Sequence, residues 1–489
     1  MPTSSFTERE LKFDVRPDFV LPDLSGELVD IERTDRESQQ IVSEYFDTAD
    51  YALLRAAMTL RRRTGTTDQG WQLKVPQPPF REEVRAPLNG AQIPEDLMQI
   101  LQGVTRNQPL IPVSTLITHR SVLRLIDGAG RPLAEVDDDL VEAFEAGDSV
   151  PATRWHEVEV ELVEGQEALL PAVSKRLRRS GATPATSSSK LSRALPDSLL
   201  EPAPGRGRPD AGDVLAEYIA EQHRVILSGD VSIRRGNQGA VHKTRVASRR
   251  LRSTLRTFAP MFDAVQAARL DEELRWYAGV LGEVRDAQVL YRRLTGMIAE
   301  LDDSIRLGPV QARVDILLRG QIAKSWQALS EELTGERYRD LLEALAFWDR
   351  RPPLTPKASR GAASLERYID RADRKVARRL GRANRTGDVE ALHASRKAAK
   401  RARYAAEATP VTLGKKVANK QVKRYRKLQD LLGEHQDSQI SCALIRRVGA
   451  QAGTTGGENG FTFGVLYEQE RRRASAAREK ARHIAKRYG

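Results

Sequence analysis

A motif that occurs twice in the C-terminal half of the chain sets the strongest constraint on its fold. HKTRVASRRLRSTLRTF starts at His242, and HASRKAAKRARYAAE starts at His393. In each copy a second motif begins 39 residues after the histidine, as LGEVRDAQV from Leu281 and as LGEHQDSQI from Leu432. Because both motifs and their separation are repeated, we expect two homologous modules related by a rough two-fold.

The repeated segments have the pattern of helices. Apolar residues recur with a period near 3.6 over long stretches after residue 213. A Pro- and Gly-containing loop at residues 352–364 divides this part, so we predict helical bundles at about 213–350 and 364–489. Steps of three and four place a histidine and several cations on one helix face in each copy: His242, Arg245, Arg249 and Arg252, and then His393, Arg396, Lys400 and Arg403.

This basic face has two interpretations. It is either a solvated stripe, which is the usual fate of a charge run, or an anion-binding surface. Like charges stacked four residues apart destabilise a helix unless something neutralises them. The second motif offers some neutralisation through Glu283, Asp286, Glu434 and Asp437. The recurrence of the histidine and its cations in both copies favours anion binding.

The first 200 residues have a different pattern, in which short segments alternate in character with a period of two. We predict strands at TERELKFDV, TLRRR, GWQLKV, REEVRAPL, THRSVLRLI, PLAEVDDDLVEAF and RWHEVEVELV, and a helix over Glu167–Arg179. Several of these strands combine an apolar face with a face that carries both signs of charge. If the strands close into a barrel, the charged faces line its interior.

The two halves also differ in net charge. Residues 1–200 carry 23 Lys and Arg against 32 Asp and Glu, whereas residues 201–489 carry 56 against 35. The segment at 196–213 is rich in Pro and Gly, so we predict a domain at 3–200, a linker at 201–212 and a domain at 213–489. A net negative charge favours binding of metal ions, and a strongly positive net charge favours binding of a polyanion.

Composition narrows the class of protein. The single cysteine, Cys442, excludes an internal disulfide and fits a reducing compartment. The N-terminal residues are charged early and lack an apolar segment, so we expect no signal peptide. We also expect no membrane span, because no run of about 18 apolar residues occurs. A cytoplasmic protein is therefore expected.

The charged strands resemble a known family. ERELK at Glu8–Lys12 is similar to the ExExK signature of the CYTH domain, the triphosphate tunnel metalloenzyme fold. YFDT, LRRR, WQLK and SKLSRAL follow in the family's usual order within about residues 3–200. The resemblance implies an eight-stranded antiparallel tunnel that hydrolyses inorganic triphosphate or a nucleoside triphosphate with Mg²⁺ or Mn²⁺. Adenylyl cyclases and thiamine triphosphatases belong to the same family, so the substrate and the choice between hydrolysis and cyclisation stay open.

The resemblance also implies residue roles. The expected metal ligands are Glu8, Glu10, Glu157, Glu159 and Glu161. The expected triphosphate-binding cations are Lys12, Arg61, Arg63, Lys74, Arg81, Arg120 and Lys190. Glu8, Glu10, Lys12 and Glu159 would be the catalytic set, and further tunnel acids are Glu83, Glu135 and Asp139, with Asp137 and Asp138 as alternatives within the DDD run. His119 and His156 are assigned no role.

The repeated half resembles a CHAD domain, over roughly residues 212–489. That resemblance implies two pseudo-symmetric four-helix bundles with a basic central groove that binds inorganic polyphosphate. The candidates are the two sets of histidine and cations given above. The second copy departs from the first at His435 and Gln436, where the first has Val284 and Arg285.

Together, these patterns predict an α+β multidomain protein, with an N-terminal antiparallel β-barrel tunnel and an all-α C-terminal domain. The expected function is a metal-dependent triphosphatase with bound polyphosphate. The alternatives are a non-catalytic polyphosphate-binding scaffold and, less favoured, a non-specific nucleic-acid binder. Aromatic residues are only 6% of the chain, whereas single-strand binders normally interleave them with cations. The oligomeric state does not follow from the sequence.

Overall fold

The computed structural model describes residues 4–24, 31, 33–77, 80–196, 209–386, 388–452 and 454–488. The chain forms two compact units, residues 1–204 with 230–236, and residues 205–229 with 237–489. Most of the predicted linker, residues 201–208, lies outside the described residues.

The first unit is built on one antiparallel sheet. Its strands are β1 Ser4–Glu8, β2 Glu10–Asp14, β3 Arg33–Asp47, β4 Thr59–Thr64, β5 Gly70–Gln77, β6 Phe80–Ala86, β7 Ile111–Ile126, β8 Pro132–Glu145, β9 Thr153–Leu162 and β10 Thr183–Pro184. Their order across the sheet is β1-β6-β5-β4-β3-β7-β8-β9-β2-β10. All seven predicted strand segments are present, whereas β3 was missed because its sequence, RTDRESQQIVSEYFD, is polar on both faces for most of its length.

The sheet curls back on itself. β1 pairs with β6 and β2 pairs with β9, yet β1 and β2 are consecutive parts of one extended run that is interrupted only at Arg9. The two ends of the sheet therefore meet at the same stretch of chain, although no β1–β2 pairing closes it. With β1 and β2 taken together and the two-residue β10 set aside, eight strands surround the interior. The tunnel fold is confirmed, and "barrel" describes it only loosely.

Alternation along the strands separates an apolar side from a charged side. One apolar cluster joins Phe13, Val158 and Val160 to Leu177 of the covering helix α3, Leu169–Arg179. Charged residues alternate with these apolar ones along the strands and consequently face the other side of the sheet. They include Lys12, Glu157 and Glu159. The other short helices of this unit are α1 Ala52–Arg55, α2 Glu95–Thr105 and α4 Lys190–Ala194.

The second unit is helical. Its helices are α5 Ala211–Arg234, α6 Ala240–Thr257, α7 Ala264–Ala299, α8 Val310–Glu332, α9 Glu336–Arg350, α10 Glu366–Thr386, α11 Val389–Ala408, α12 Pro410–Leu413, α13 Lys415–Ala452 and α14 Phe461–Tyr488. The predicted loop at 352–364 separates α9 from α10. Aspartates cap two of these helices: Asp263 accepts from the Gln266 backbone N–H at α7, and Asp388 accepts from the first turn of α11.

The predicted repeat is visible in these helices. α6 and α7 carry the first copy of the two motifs, and α11 and α13 carry the second. Two long helices flank each pair, α5 and α8 in the first repeat and α10 and α14 in the second. Cys442 is a buried free thiol. None of the helices in the described part of the chain has the length and apolar character that crossing a bilayer requires.

Candidate functional site

Three carboxylates meet inside the tunnel. Asp139 of β8 and Glu157 of β9 lie opposite each other in the strand register, and Glu159 follows two positions along β9. One oxygen of each lies within 4.8 Å of the others, and all three residues are buried. Asp137, the neighbour of Asp139 on the same strand face, lies opposite Glu159. This group, which we call the carboxylate cluster (Asp139, Glu157 and Glu159), is the strongest candidate for a metal site in the described residues.

Lys190 lies at the carboxylate cluster. Its Nζ atom is 2.6 Å from Glu157 Oε1, 2.8 Å from Glu159 Oε1 and 3.0 Å from Asp139 Oδ2. Lys190 opens α4, where the side chain of Ser189 caps the helix through a capping box. The segment before α4 is bound to β2, because β10 pairs with β2 and the Thr186 backbone N–H donates to Asp14 Oδ2. These contacts fix the ammonium group among the three carboxylates.

Two further cations neutralise the same carboxylates. Lys12 contacts Glu159 and lies 3.1 Å from Glu10, and Arg120 donates to both oxygens of Asp139 at 2.6 and 2.7 Å. Burial alone would raise the pKa of Glu159, yet the ammonium groups of Lys12 and Lys190 hold it well below its usual range. The charges of the interior are therefore compensated by ion pairs within the protein.

The other predicted metal ligands lie outside the carboxylate cluster. Lys74 donates to Glu8 Oε1 at 2.6 Å, while Glu8 Oε2 is buried without a hydrogen-bond partner among the described residues. Burial and the nearby Glu8 carboxylate raise the pKa of Glu161 to about 8. Burial likewise raises the pKa of Asp137 to about 7. The structure thus joins Glu157 and Glu159 to Asp139, and adds Glu10 only through its ion pair with Lys12.

A divalent cation fits this donor set. Mg²⁺ and Mn²⁺ prefer oxygen ligands, which the three clustered carboxylates supply. Buried carboxylate oxygens that lack a partner, Glu8 Oε2 and Asp137 Oδ1, add coordination capacity in the same interior.

Cations dominate the strand that faces the carboxylate cluster. Arg61 and Arg63 lie on β4, which is four strands away from β9 in either direction around the curled sheet. The Arg61 side chain donates to Gln72 at 2.8 Å and to the Tyr45 hydroxyl at 3.2 Å, and both of these acceptors are uncharged groups. Burial, with the positive charges of Arg61 and Arg120, lowers the pKa of Arg63 to about 10. Arg63 also donates to Asp68 Oδ2 at 2.7 Å, so β4 places one arginine with uncharged acceptors and one with a carboxylate partner in this part of the tunnel.

The remaining predicted tunnel residues have weaker links to the carboxylate cluster. Glu83 is buried between Lys74, at 3.7 Å, and Arg85. Arg81 donates to the carbonyl oxygen of Ser188 at 2.8 Å. Glu135 pairs with Arg124 at 2.9 Å, and a third of its side chain is exposed. His119 is exposed and the buried His156 bonds Asp138, so neither histidine joins the cluster.

Sequence reasoning missed several residues of this interior. Tyr45 and Gln72 were not singled out because they are neutral, and only the strand register places them beside Arg61. Arg193 was also missed; it lies 2.5 Å from Asp14, 3.7 Å from Glu157 and over the ring of Trp155. Its position three residues after Lys190 on α4 was the available signal.

The helical unit contains a second site, a basic groove of about 550 Å³. α6, α7, α11 and α13 all contribute to its lining. The lining includes seven of the eight predicted residues, namely His242, Arg245, Arg249, Arg252, His393, Arg396 and Lys400. Arg403 does not line it, because its side chain lies over the Tyr404 ring and 3.3 Å from Glu407.

The repeat places two arginines on matching glycines. Arg245 packs on Gly282 of α7, and a Cβ atom there would lie 3.0 Å from its Nη2 atom; Arg396 packs on Gly433 of α13 in the same way, at 2.9 Å. Their acceptors differ, however. Arg245 donates to Asp286 at 2.9 Å, whereas Arg396 donates to the neutral Gln436 at 2.6 Å. The glycine of each LGE motif is therefore what lets a guanidinium group reach the groove.

Positive charge in the groove is only partly compensated. Asp286 provides the expected neutralisation, while Glu283 is exposed and Glu434 instead pairs with Arg293 at 2.6 Å. Burial, with the charges of Arg249 and Arg396, lowers the pKa of Lys400 to about 6. A bound polyanion would relieve this repulsion.

Comparison with known proteins identifies both domains. The chain matches the CYTH domain over residues 7–194 and the CHAD domain over residues 217–446. Uncharacterized proteins from two strains of Mycobacterium tuberculosis are 36% identical to it, over 97% of this chain and 94% of theirs.

Solved structures match each half separately. The match to PptA from Streptomyces chartreusis covers 57% of this chain and 99% of that chain, with 23% identity and a TM-score of 0.47. The match to the CHAD domain from the plant Ricinus communis covers 57% of this chain and 92% of that chain, with 23% identity and a TM-score of 0.46. A third match is a Hippeastrum protein proposed to be an adenylyl cyclase and described with a dominant triphosphatase activity. It covers 40% of this chain and 98% of that chain, with 16% identity and a TM-score of 0.25. With both domain models matched in order and a relative aligned over nearly its whole length, the chain belongs to the CYTH–CHAD family.

Proposed function

We propose that the tunnel hydrolyses inorganic triphosphate, or a nucleoside triphosphate, with Mg²⁺ or Mn²⁺, and that the basic groove binds inorganic polyphosphate. The observation that carries the first part is the division of the tunnel interior. A buried carboxylate cluster lies on β8 and β9, and Arg61 and Arg63 lie on β4, four strands away around the curled sheet. A metal–triphosphate complex needs both charge types within one enclosed space.

In this proposal Asp139, Glu157 and Glu159 hold the metal, with Glu8, Glu10 and Glu161 as further ligands. When bound, the metal would polarise the phosphate oxygens and supply an activated water. Arg61, Arg63 and Lys74 bind the triphosphate oxygens from the cation-rich side of the tunnel. Lys12, Arg120 and Lys190 would bind phosphate oxygens in place of their carboxylate partners when those carboxylates hold the metal. Arg81 binds at the periphery, beside Ser188.

In the groove, guanidinium and ammonium groups bind the phosphate chain, because planar Arg donors match phosphate oxygens and each contact neutralises a charge. Arg245, Arg249 and Arg252 of the first repeat and Arg396 and Lys400 of the second lie along it. His242 and His393 contribute ring N–H donors. Arg403 acts indirectly at most. We further propose a cytoplasmic location, with association with polyphosphate granules as one possibility.

The second candidate function is a non-catalytic scaffold that binds polyphosphate. One observation favours it: the ammonium group of Lys190 occupies the carboxylate cluster at 2.6 to 3.0 Å. A lysine held there permanently would exclude the metal.

Phosphate release separates the two candidates. The full-length protein is incubated with inorganic triphosphate, ATP or long-chain polyphosphate, with and without Mg²⁺ or Mn²⁺. Metal-dependent release from a triphosphate supports the enzyme. Absence of release from all substrates, by protein that still binds polyphosphate, would establish the scaffold. Cyclic nucleotide in the ATP reaction would instead indicate cyclisation, and competition between polyphosphate and DNA of equal charge tests nucleic-acid binding.

A further inference from the structure

We propose that the helical unit binds a nucleoside polyphosphate, with its phosphates at the first-repeat end of the groove and its base in an adjoining cavity. We name this cavity the aromatic flank, and it is defined by Arg285, Tyr291, Arg292, Arg319 and Trp326. The inference goes beyond the proposed function and does not require hydrolysis in the tunnel.

The aromatic flank is continuous with the groove. Arg285 of α7 lines both cavities, so an anion bound in the groove and a group bound in the flank would share this guanidinium. The flank has a volume of about 810 Å³. Pockets of roughly 300 to 1,000 Å³ are typical of small-molecule sites. The cavity is therefore large enough for a nucleoside.

The flank pairs cations with aromatic rings. Arg319 lies over the Tyr291 ring at 5.4 Å and donates to the Tyr291 hydroxyl at 3.0 Å, which fixes both side chains at the cavity wall. Trp326 of α8 is half-buried, and the described residues show no ring or cation stacked on it. An indole face with no stacked partner suits base stacking, while Arg285 and Arg292 suit the adjacent phosphates.

The second repeat differs from the first at this position. Alignment of the two histidines pairs Arg285 with Gln436, and Gln288 with Gln439. Gln436 and Gln439 line a cavity beside α11 and α13 that contains no Trp, Tyr or Phe and includes Glu390 as well as the cations Arg379 and Lys397. A homopolymer of phosphate has two equivalent ends, so it gives no reason for one end alone to carry aromatic rings. A ligand with a base at one end gives such a reason.

Photolabelling tests this placement. Full-length protein is irradiated with azidoadenosine triphosphate, and the labelled peptides are mapped by mass spectrometry, which distinguishes the flank from the tunnel. We expect peptides from α7 and α8 to be labelled in the wild type. In Trp326→Ala the extent of this labelling should fall by about tenfold, because base–aromatic stacking supplies that much affinity. Trp326→Phe, which keeps a ring, should retain most of it. Trp276→Ala removes a tryptophan that packs against Arg337 outside the flank, and should leave the labelling of the α7 and α8 peptides unchanged.

Two results would overturn the proposal. One is labelling confined to tunnel peptides, or flank labelling that is equal in Trp326→Ala and the wild type when both melt at comparable temperatures. The other is a loss of long-chain polyphosphate binding in Trp326→Ala that equals the loss of nucleotide labelling. That result would make the flank an extension of the phosphate site. Neither result depends on whether triphosphate is hydrolysed, so the two proposals fail separately.

Discussion

The Nζ atom of Lys190 lies 2.6 Å from an oxygen of Glu157, inside a cluster of carboxylates suited to a divalent cation. The two residues are 33 positions apart in sequence, and the capped turn at Ser189 brings them together. The same ammonium group therefore compensates the carboxylates in the metal-free protein and, in the proposed function, would be available to phosphate when those carboxylates hold a metal. Metal and triphosphate should consequently bind with positive coupling.

Replacing Lys190 should separate the two affinities. In Lys190→Met, Mn²⁺ should bind more tightly in the absence of triphosphate, because no ammonium competes for the carboxylates, and triphosphate should bind about tenfold more weakly. The metal-free variant should lose about 3–5 kcal/mol of stability, since three buried carboxylates lose a partner. Added Mn²⁺ should restore it. Calorimetric titration and thermal melting measure these effects.

The exposed Lys175 of α3 provides the matched control, because Lys175→Met removes an ammonium group that lies on the surface. If Lys190→Met weakened Mn²⁺ and triphosphate binding equally, Lys190 would be a structural ion-pair residue and the exchange would be refuted.

Two arginines of the helical unit should differ in their effect on polyphosphate. Arg249 lines the groove, and the described residues show no carboxylate partner for it; Arg403 lies outside the groove, beside Glu407. Arg249→Ala should weaken polyphosphate binding and reduce the slope of log affinity against log salt by roughly 0.7–0.9, the value for one phosphate contact. Arg403→Ala should leave the slope unchanged. Equal slopes in both variants would contradict the assignment of the groove.

Polyphosphate binding should depend on pH through Lys400. Its pKa of about 6 in the free protein leaves it mostly neutral at pH 7 to 9, and nearby phosphates would favour the charged form. Binding therefore takes up a proton, and affinity should fall with rising pH by at most about tenfold per unit. His242 and His393 have lowered pKa values because of burial, so they are neutral over this range, and the surrounding arginines stay charged.

Lys400→Arg should abolish this slope, whereas Lys397→Arg, at an exposed lysine of the same groove, should keep it. Stability gives an independent check. Between about pH 6 and the usual lysine pKa the unfolded chain binds more protons than the folded one, so the melting temperature should rise with pH, and less so in Lys400→Met. A pH-independent affinity in the wild type would show that Lys400 is not protonated on binding.

Substitution of a groove glycine should change affinity and stability in opposite directions. Gly433→Ala adds a Cβ atom 2.9 Å from Arg396 Nη2 and should move that guanidinium group, which weakens polyphosphate binding several-fold. Its helix should gain up to about 1 kcal/mol of intrinsic stability. Gly464→Ala, with open space around it in α14, should show the stability gain alone. Unchanged binding in Gly433→Ala would mean that Arg396 does not contact the chain.

Much of both sites could be predicted from the sequence, because periodicity reports which residues share a face. The repeated face from His242 predicted an anion-binding surface, the resemblance to the CHAD domain predicted a groove, and alternation in β2 and β9 predicted the charged interior. What periodicity does not report is register and side-chain direction. It could not show that Lys190 would meet Glu157, that Tyr45 would accept from Arg61, or that Arg403 would turn towards Glu407. The polar strand β3 also had no alternation to reveal it.

Phosphate release from inorganic triphosphate by the wild type and two matched variants tests the central claim most directly. Glu159→Gln alters the buried carboxylate cluster, and Glu135→Gln removes a partly exposed charge on the neighbouring strand that pairs with Arg124. With Mn²⁺ present, we predict that Glu159→Gln loses at least about a hundredfold in rate while keeping polyphosphate binding, and that Glu135→Gln stays within a few-fold of the wild type. Equal metal-dependent rates in all three folded proteins would contradict a metal-dependent triphosphatase centred on Asp139, Glu157 and Glu159.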